Sequence, residues 1–342
     1  MAEARESHFR RPPRELHRGP RHWGVEMSET WIGAGGWGYF RGPSGRSLPD
    51  YARAFRFVEV NMTFYRHPSL LDARRWRRSV PDDFRFAVKG HRTITHWERF
   101  RATRTALSAL SRDAAIARAL RSDLIVLETP PELGFGPRET ASLKDFAAAA
   151  GSSVRLALEA RGHAGHPLPP ALARALEDIG GVDVVDLSKG ERPRVASDIA
   201  YARLLGKGAH NVWEFSDDEL REIVSASGGR ESNRIVFTFH GVRMYKDAAR
   251  FLEFRSSGSL IPATRGRGVR ALEEVLAPDA VFPSTRGGLI RDHGWKVVAT
   301  ERAGNIHAAE LLRELPERSF TSLKDFIEAA DGPRAAPLKY SP

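Results

Sequence analysis

The stretch WIGAGGWGYFRGPSGRS (residues 31–47) decides how the rest of the chain is to be read. An apolar run leads into a G-x-G-x-x-G formed by Gly33, Gly35 and Gly38. Glu59 follows about twenty residues on, where a dinucleotide-binding fold places its ribose-binding acid. That fold needs a helix to open at the glycines, because the helix N-terminus holds the pyrophosphate. Here Gly38 is followed by YFRGPSGRS, where Gly42, Pro43 and Gly45 forbid a helix. Glu59 also falls mid-strand, with Asn61 after it. A nicotinamide or flavin site is therefore not expected, and the glycines read as a strand and its turn.

Seven further strand-like runs follow, at 57–64, 84–90, 123–130, 154–161, 182–188, 199–206 and 234–241. Helical patterns lie between them at 104–121, 138–151 and 169–181, with room for only a short helix around 48–55. Near-continuous apolar strands alternating with helices imply buried parallel strands joined by crossovers. Eight strand–helix units over roughly 220 residues match the size of a (β/α)8 TIM-type barrel. The expected fold class is thus α/β, with the barrel over 29–255 and a small C-terminal α/β or helical domain over 256–342. A doubly wound open sheet is the alternative. That C-terminal segment reads as two or three helices and one short strand, docked against the barrel. Residues 1–28, polar and aperiodic, read as a disordered extension, and Met27 offers a second possible start.

The absence of cysteine excludes disulfides, thiolate zinc sites and a cysteine nucleophile. No apolar run is long enough to cross a bilayer, and the N-terminus has no signal-peptide core. The expectation is a cytoplasmic protein without membrane contact. The net charge of +10 is concentrated: residues 66–121 hold fourteen Arg/Lys against five Asp/Glu. Cations interleaved with Trp76, Trp97 and Phe100 suit phosphate contacts and base stacking, so nucleic acid is the expected partner of residues 66–121. A solvated helix face is the plainer alternative.

In a barrel, polar residues near strand C-termini reach the active-site face. Six strands supply them here: Glu59 and Asn61; Lys89 and His91, then His96; Glu159, Arg161 and His163; Asp186, Ser188 and Lys189; Arg203; His240. Ionisable groups on apolar strands are costly unless paired or functional, and six in one mouth favour function. Glu59, Glu159 and Asp186 are candidate acid–base carboxylates, with Lys89 and Arg161 lowering their pKa values or binding an anion. Glu59, Glu159, Asp186 and His240 are also candidate ligands for a divalent metal, although no spacing is diagnostic. Lys207, between Gly206 and Gly208 after the seventh strand, could meet a phosphate or lie in a plain turn.

IGAGGWGYF, FVEVNMTFYR, FRFAVKGHRTITH, LALEAR and YARLLGKG, in this order, resemble the domain of unknown function 72 (YecE-like) family over about residues 30–255. The resemblance implies a TIM-type barrel. Its recurring polar positions fall on Glu59, Asn61, Thr63, Tyr65, Lys89, Thr95, His96, Glu159, Arg161 and Arg203. ETPP replaces the bacterial Q-L-P-P, so Glu128 stands for a glutamine, and Leu205 replaces a histidine; a catalytic role at either position is not expected. FHGVRMYKDAARF (239–251) resembles archaeal members. A repair role for members has been suggested by likeness to metal-dependent barrel endonucleases, which is analogy at the level of fold.

The expected function is a nucleic-acid-directed hydrolase of repair type, a glycosylase or endonuclease. Glu59, Glu159 and Asp186 would activate water, with or without metal. Lys89 and Arg161 would stabilise negative charge. Trp37 and Trp97 would stack on or wedge an extruded base, with Asn61, Tyr65, His91, His96, Arg203, Lys207 and His240 contacting substrate. The alternatives are a sugar or sugar-phosphate isomerase or hydrolase on the same site, and a non-catalytic nucleic-acid-binding protein.

Overall fold

A computed structural model describes residues 29–227 and 232–331; the expected extension over 1–28 lies outside them. Eight parallel strands, β1 (Glu29–Ala34), β2 (Phe57–Val60), β3 (Arg85–Lys89), β4 (Leu124–Glu128), β5 (Arg155–Glu159), β6 (Val182–Val185), β7 (Ile199–Leu204) and β8 (Arg234–Phe239), close in sequence order. β1 seals the barrel against β8 from Glu29↔Arg234 to Ala34↔Phe239. Among the described residues seven helices surround it: α1 (Ser47–Ala54), α2 (Leu70–Arg78), α3 (Arg104–Leu120), α4 (Pro137–Ala150), α5 (Pro170–Asp178), α6 (Asp217–Ser227) and α7 (Met244–Ser257). The sequence led us to expect eight strand–helix units. The β6–β7 connection instead carries only a short 3-10 turn, because Gly190 and Pro193 interrupt it.

Local chemistry sets the boundaries. Ser69 and Thr103 cap α2 and α3, accepting from Asp72 N and Ala106 N. Gly33 is required by a close approach, since a Cβ there would lie 2.0 Å from Phe57 O. The Tyr51 hydroxyl donates to that same oxygen at 2.8 Å and accepts from Ala34 N at 2.8 Å, tying β1 to β2. The opening glycines therefore serve strand closure.

Inward positions alternate along each strand and divide the interior by height. The lower layers are apolar, with Phe57, Ala87, Val126, Ala157 and Tyr201 in one buried cluster. Two residues further along the same strands stand Glu59, Lys89, Glu128, Glu159 and Arg203, all buried. One register step therefore changes a hydrophobic plug into a charged floor at the C-terminal mouth.

Residues beyond the barrel form α8 (Val269–Leu276), β9 (Ser284–Thr285), α9 (Arg286–His293), β10 (Val297–Ala299), β11 (Asn305–His307), α10 (Ala308–Arg313), β12 (Ser319–Phe320) and α11 (Leu323–Asp331). This is more structure than the expected two or three helices and one strand. Two antiparallel pairs, β10–β11 and β9–β12, enclose a core of their own. The unit docks on the start of α6: Glu214 accepts from Val297 N at 2.8 Å, and Asp217 accepts from Asn305 N at 2.9 Å. His307 Nε2 pairs with Glu219 at 3.0 Å.

Candidate active site

Arg203, 2 % exposed, organises the mouth. Its guanidinium meets Glu59 at 3.1 Å and Glu128 at 2.5 Å, contacts Glu159, and donates through Nε to His240 Nε2 at 3.2 Å. Lys89 Nζ lies 2.8 Å from Glu128 and 4.2 Å from the centre of the Phe64 ring. Arg161 reaches Glu128 and Glu159, each at 3.3 Å. Tyr201, two residues below Arg203, donates to Glu59 at 2.8 Å. Three carboxylates thus face three cations in a buried network, the pairing that makes such burial tolerable.

This balance sets the protonation states. Burial alone would raise the Glu59 carboxyl, but Arg203, His240 and Lys89 outweigh it and hold Glu59 at about 2. The same contest is won by Arg203, Lys89 and Arg161 at Glu128, which stays well below the usual carboxylate range. Burial and the Arg203 charge lower the Lys89 ammonium against the pull of Glu128, making it a readier proton donor. Burial and Arg203 likewise lower His240, which is neutral at pH 7. The mouth therefore holds Glu59 and Glu128 ionised, beside an acidified ammonium and a neutral imidazole.

Above this floor opens a cavity of about 820 Å³, onto which Lys89, Glu128, Arg161, Arg203, His240 and Asn61 face. Its wall is aromatic, with Trp37 edge-on to Trp76 at 5.2 Å, and with Tyr39, Tyr65 and Tyr245. Gly35 is the second glycine fixed by close approach, because a Cβ would come within 2.3 Å of His240 Nδ1. Asn61 Nδ2 donates to Gly35 O at 2.9 Å, holding the first turn over the imidazole.

Of the expected residues, Trp37, Asn61, Tyr65, Lys89, Arg161, Arg203 and His240 line this cavity, and Glu59 and Glu159 stand behind it on Arg203. The other five lie apart from it. Asp186 is a turn residue: its carboxylate accepts from Ser188 N at 3.0 Å and Leu205 N at 3.3 Å, and burial raises it to about 6. Lys207 is paired with Glu219 at 3.1 Å, so the glycines beside it do not make a phosphate loop with a spare cation. His91 stacks on His67 at 4.5 Å and bonds Thr93 at 2.8 Å, while His96 bonds Thr95 at 2.8 Å. Trp97 lies outside on the rim, 60 % exposed.

The basic stretch is also divided. Arg77 is buried, donating to Phe84 O at 2.7 Å and Val80 O at 3.3 Å. Arg85 and Arg121 pair with Glu29 and Asp82 at the opposite end of the barrel from the mouth. Glu128, set aside in the sequence because it departs from the family pattern, sits at the centre of the network. Its signal was positional, since it ends β4 as Lys89 ends β3 and Glu159 ends β5.

The candidate metal ligands Glu59, Glu159, Asp186 and His240 do not converge. Among the described residues no group of three or more His, Asp or Glu side chains is placed to hold an ion. The Arg203 guanidinium occupies the space between Glu59 and Glu159, and a divalent cation there would be repelled by Arg203 and Lys89. These residues do not fit a metal.

Fold and site together define a TIM-type barrel with a charged, aromatic-walled cavity at its C-terminal mouth. The chain belongs to the family described as protein of unknown function DUF72, whose model matches residues 31–259. The protein UPF0759 YecE of Escherichia coli K12 is 36 % identical over 101 residues, 29 % of this chain and 36 % of that one. The chain therefore matches about a third of the length of that curated relative. A DUF72 family protein from Enterococcus faecalis V583 superposes with a TM-score of 0.54 at 15 % identity, over 68 % of this chain and 100 % of its own. Another from Thermotoga maritima MSB8 gives 0.52 at 19 %, over 67 % and 100 %. No helix among the described residues is long and apolar enough to cross a membrane.

Proposed function

We propose that the mouth hydrolyses a bond at one nucleotide of a nucleic acid, in the manner of a glycosylase. The observation that carries this is the Lys89–Glu128 pair, 2.8 Å apart on neighbouring strands at the floor of an aromatic-walled cavity. Trp37 and Tyr65 supply flat faces for a base, and Arg161 a cation for its phosphate. Lys89, acidified by burial and by Arg203, gives its proton to the departing base as the N-glycosidic bond breaks. Glu128, held ionised, stabilises the positive charge developing on the sugar. Water adds to that carbon, and its released proton restores Lys89, so the products are a free base and an abasic sugar.

A small sugar phosphate is the second candidate substrate. It is favoured by one observation, that Arg77, Arg85 and Arg121 of the basic stretch are engaged away from the mouth. The test uses end-labelled single-stranded and duplex DNA carrying uracil or hypoxanthine, with EDTA or divalent metal, quenched at neutral or alkaline pH. Strand breaks appearing only after alkali, unchanged by EDTA and lost in Glu128→Gln, are expected. Metal-dependent breaks at neutral quench would replace the glycosylase with an endonuclease. No product on DNA or RNA, with turnover of a sugar phosphate, would overturn the nucleic-acid assignment.

A further inference from the structure

We infer that the rim beside the cavity is a stacking track for unpaired nucleic acid, so the polymer entering the mouth is single-stranded; this rests on the function proposed above. Tyr65, 62 % exposed, belongs to the cavity wall. The Arg92 guanidinium lies 5.8 Å from its ring centre and 4.7 Å from that of Trp97, which is 60 % exposed. Arg92 thus sits between an aromatic of the cavity wall and an aromatic outside it, and more than half of each ring's residue surface is open to bases. Arg92, and Arg66 on the cavity wall, have no acidic partner among the described residues.

The backbone holds this track out. Arg99 and Phe100 adopt φ of 50° and 57°, in the left-handed region that non-glycine residues avoid. Phe100 is fully buried against Phe135 and Phe146, at 5.0 and 5.1 Å, which fixes the turn directly after Trp97. His91 packs edge-on to Trp97 at 6.0 Å and supports its ring. Stacking suits any base because every base has a π face, and the unpaired guanidinium complements the phosphate between two bases. In a duplex the faces of the bases are already stacked on one another, so these rings would find nothing to cover.

The experiment measures binding of a fluorescent fifteen-nucleotide oligo(dT), and of a duplex of mixed sequence and equal length, to the full chain across a salt series. Single strands are expected to bind at least about tenfold tighter than duplex. Trp97→Ala should weaken oligo(dT) by about five- to 150-fold, the range for loss of one stacked base, with Trp97→Phe largely restoring it. Arg92→Ala should lower the salt slope by about 0.7, as for one phosphate on a single strand. Equal binding of duplex and single strand with no effect of Trp97→Ala would overturn the track and leave the function of the mouth standing. No binding of either polymer by the unaltered protein would overturn both. Because Trp97 is mostly exposed, the variants are expected to fold, and an unchanged urea midpoint verifies it.

Discussion

Replacing Arg203 with Met removes one charge from the centre of three buried carboxylates while keeping most of the side-chain volume. Breaking a buried ionic network by deleting one partner costs about 3–5 kcal/mol, because the partners stay behind unpaired. Part of that can be followed through pH. Glu59 titrates near 2 in the folded protein against an ordinary 4.5, a depression worth about 3 kcal/mol. Its contribution is complete above pH 4.5 and is lost as the pH falls from 4.5 towards 2. In Arg203→Met, burial becomes the dominant influence and the folded carboxyl moves above its unfolded value. The sign of the Glu59 contribution then reverses, so lowering the pH from 7 to 5 stabilises the variant relative to the unaltered chain. Urea unfolding followed by tryptophan fluorescence between pH 4.5 and 8 tests this on both proteins. A variant with the unaltered midpoint and the unaltered pH slope would refute the claim that Arg203 holds the mouth together.

Gly35→Ala would place a Cβ 2.3 Å from His240 Nδ1 and should cost about 1–3 kcal/mol by urea unfolding, while Gly38→Ala, with open space around it, should stay within about 0.5 kcal/mol. Asp186 titrates near 6 against an ordinary 3.8, so its burial destabilises the fold progressively as pH rises from 3.8 to 6. Asp186→Asn removes that dependence, and its stability relative to the unaltered chain should improve by about 3 kcal/mol between pH 4 and 7. Arg77→Ala should cost about 2–4 kcal/mol by leaving carbonyls of the α2–β3 turn unpaired, whereas Arg74→Ala and Arg78→Ala, both exposed, should change stability by less than about 0.5 kcal/mol in the same assay.

The barrel was legible because each strand carries its own apolar run, and because Gly42, Pro43 and Gly45 exclude the competing cofactor loop. The missing helix before β7 was harder to read, since a crossover needs only length and Gly190 and Pro193 do not announce a turn without their neighbours. At the site, strand-end position identified Glu59, Lys89, Glu159 and Arg203, because period-two alternation turns them inward whatever they contact. The same rule applies to Glu128, which ends β4 and turns inward although it departs from the family motif. Asp186 shows the opposite limit: an acid one residue past a strand end caps its own turn as readily as it faces the mouth. Local charge counting does not separate Arg77 and Arg85, whose partners lie at the end of the barrel away from the mouth, from the cations that line the cavity.

The seam between the barrel and the C-terminal unit bears on how this chain can be divided. Glu214, Asp217 and Asp247 are all buried there, and burial together with Glu214 pushes Asp247 well above its ordinary range. Asp217 is satisfied by Arg250 at 2.6 Å and by Asn305 Nδ2 at 2.8 Å, one partner from each side of the seam. The Enterococcus and Thermotoga relatives superpose over their whole length on about two thirds of this chain. A cut at residue 259, where the family likeness ends, would take Asn305 and Val297 from acids that have few other donors. The length that matches the family and the length tied together by these hydrogen bonds are therefore different, and a chain cut at residue 259 is expected to open first at the start of α6.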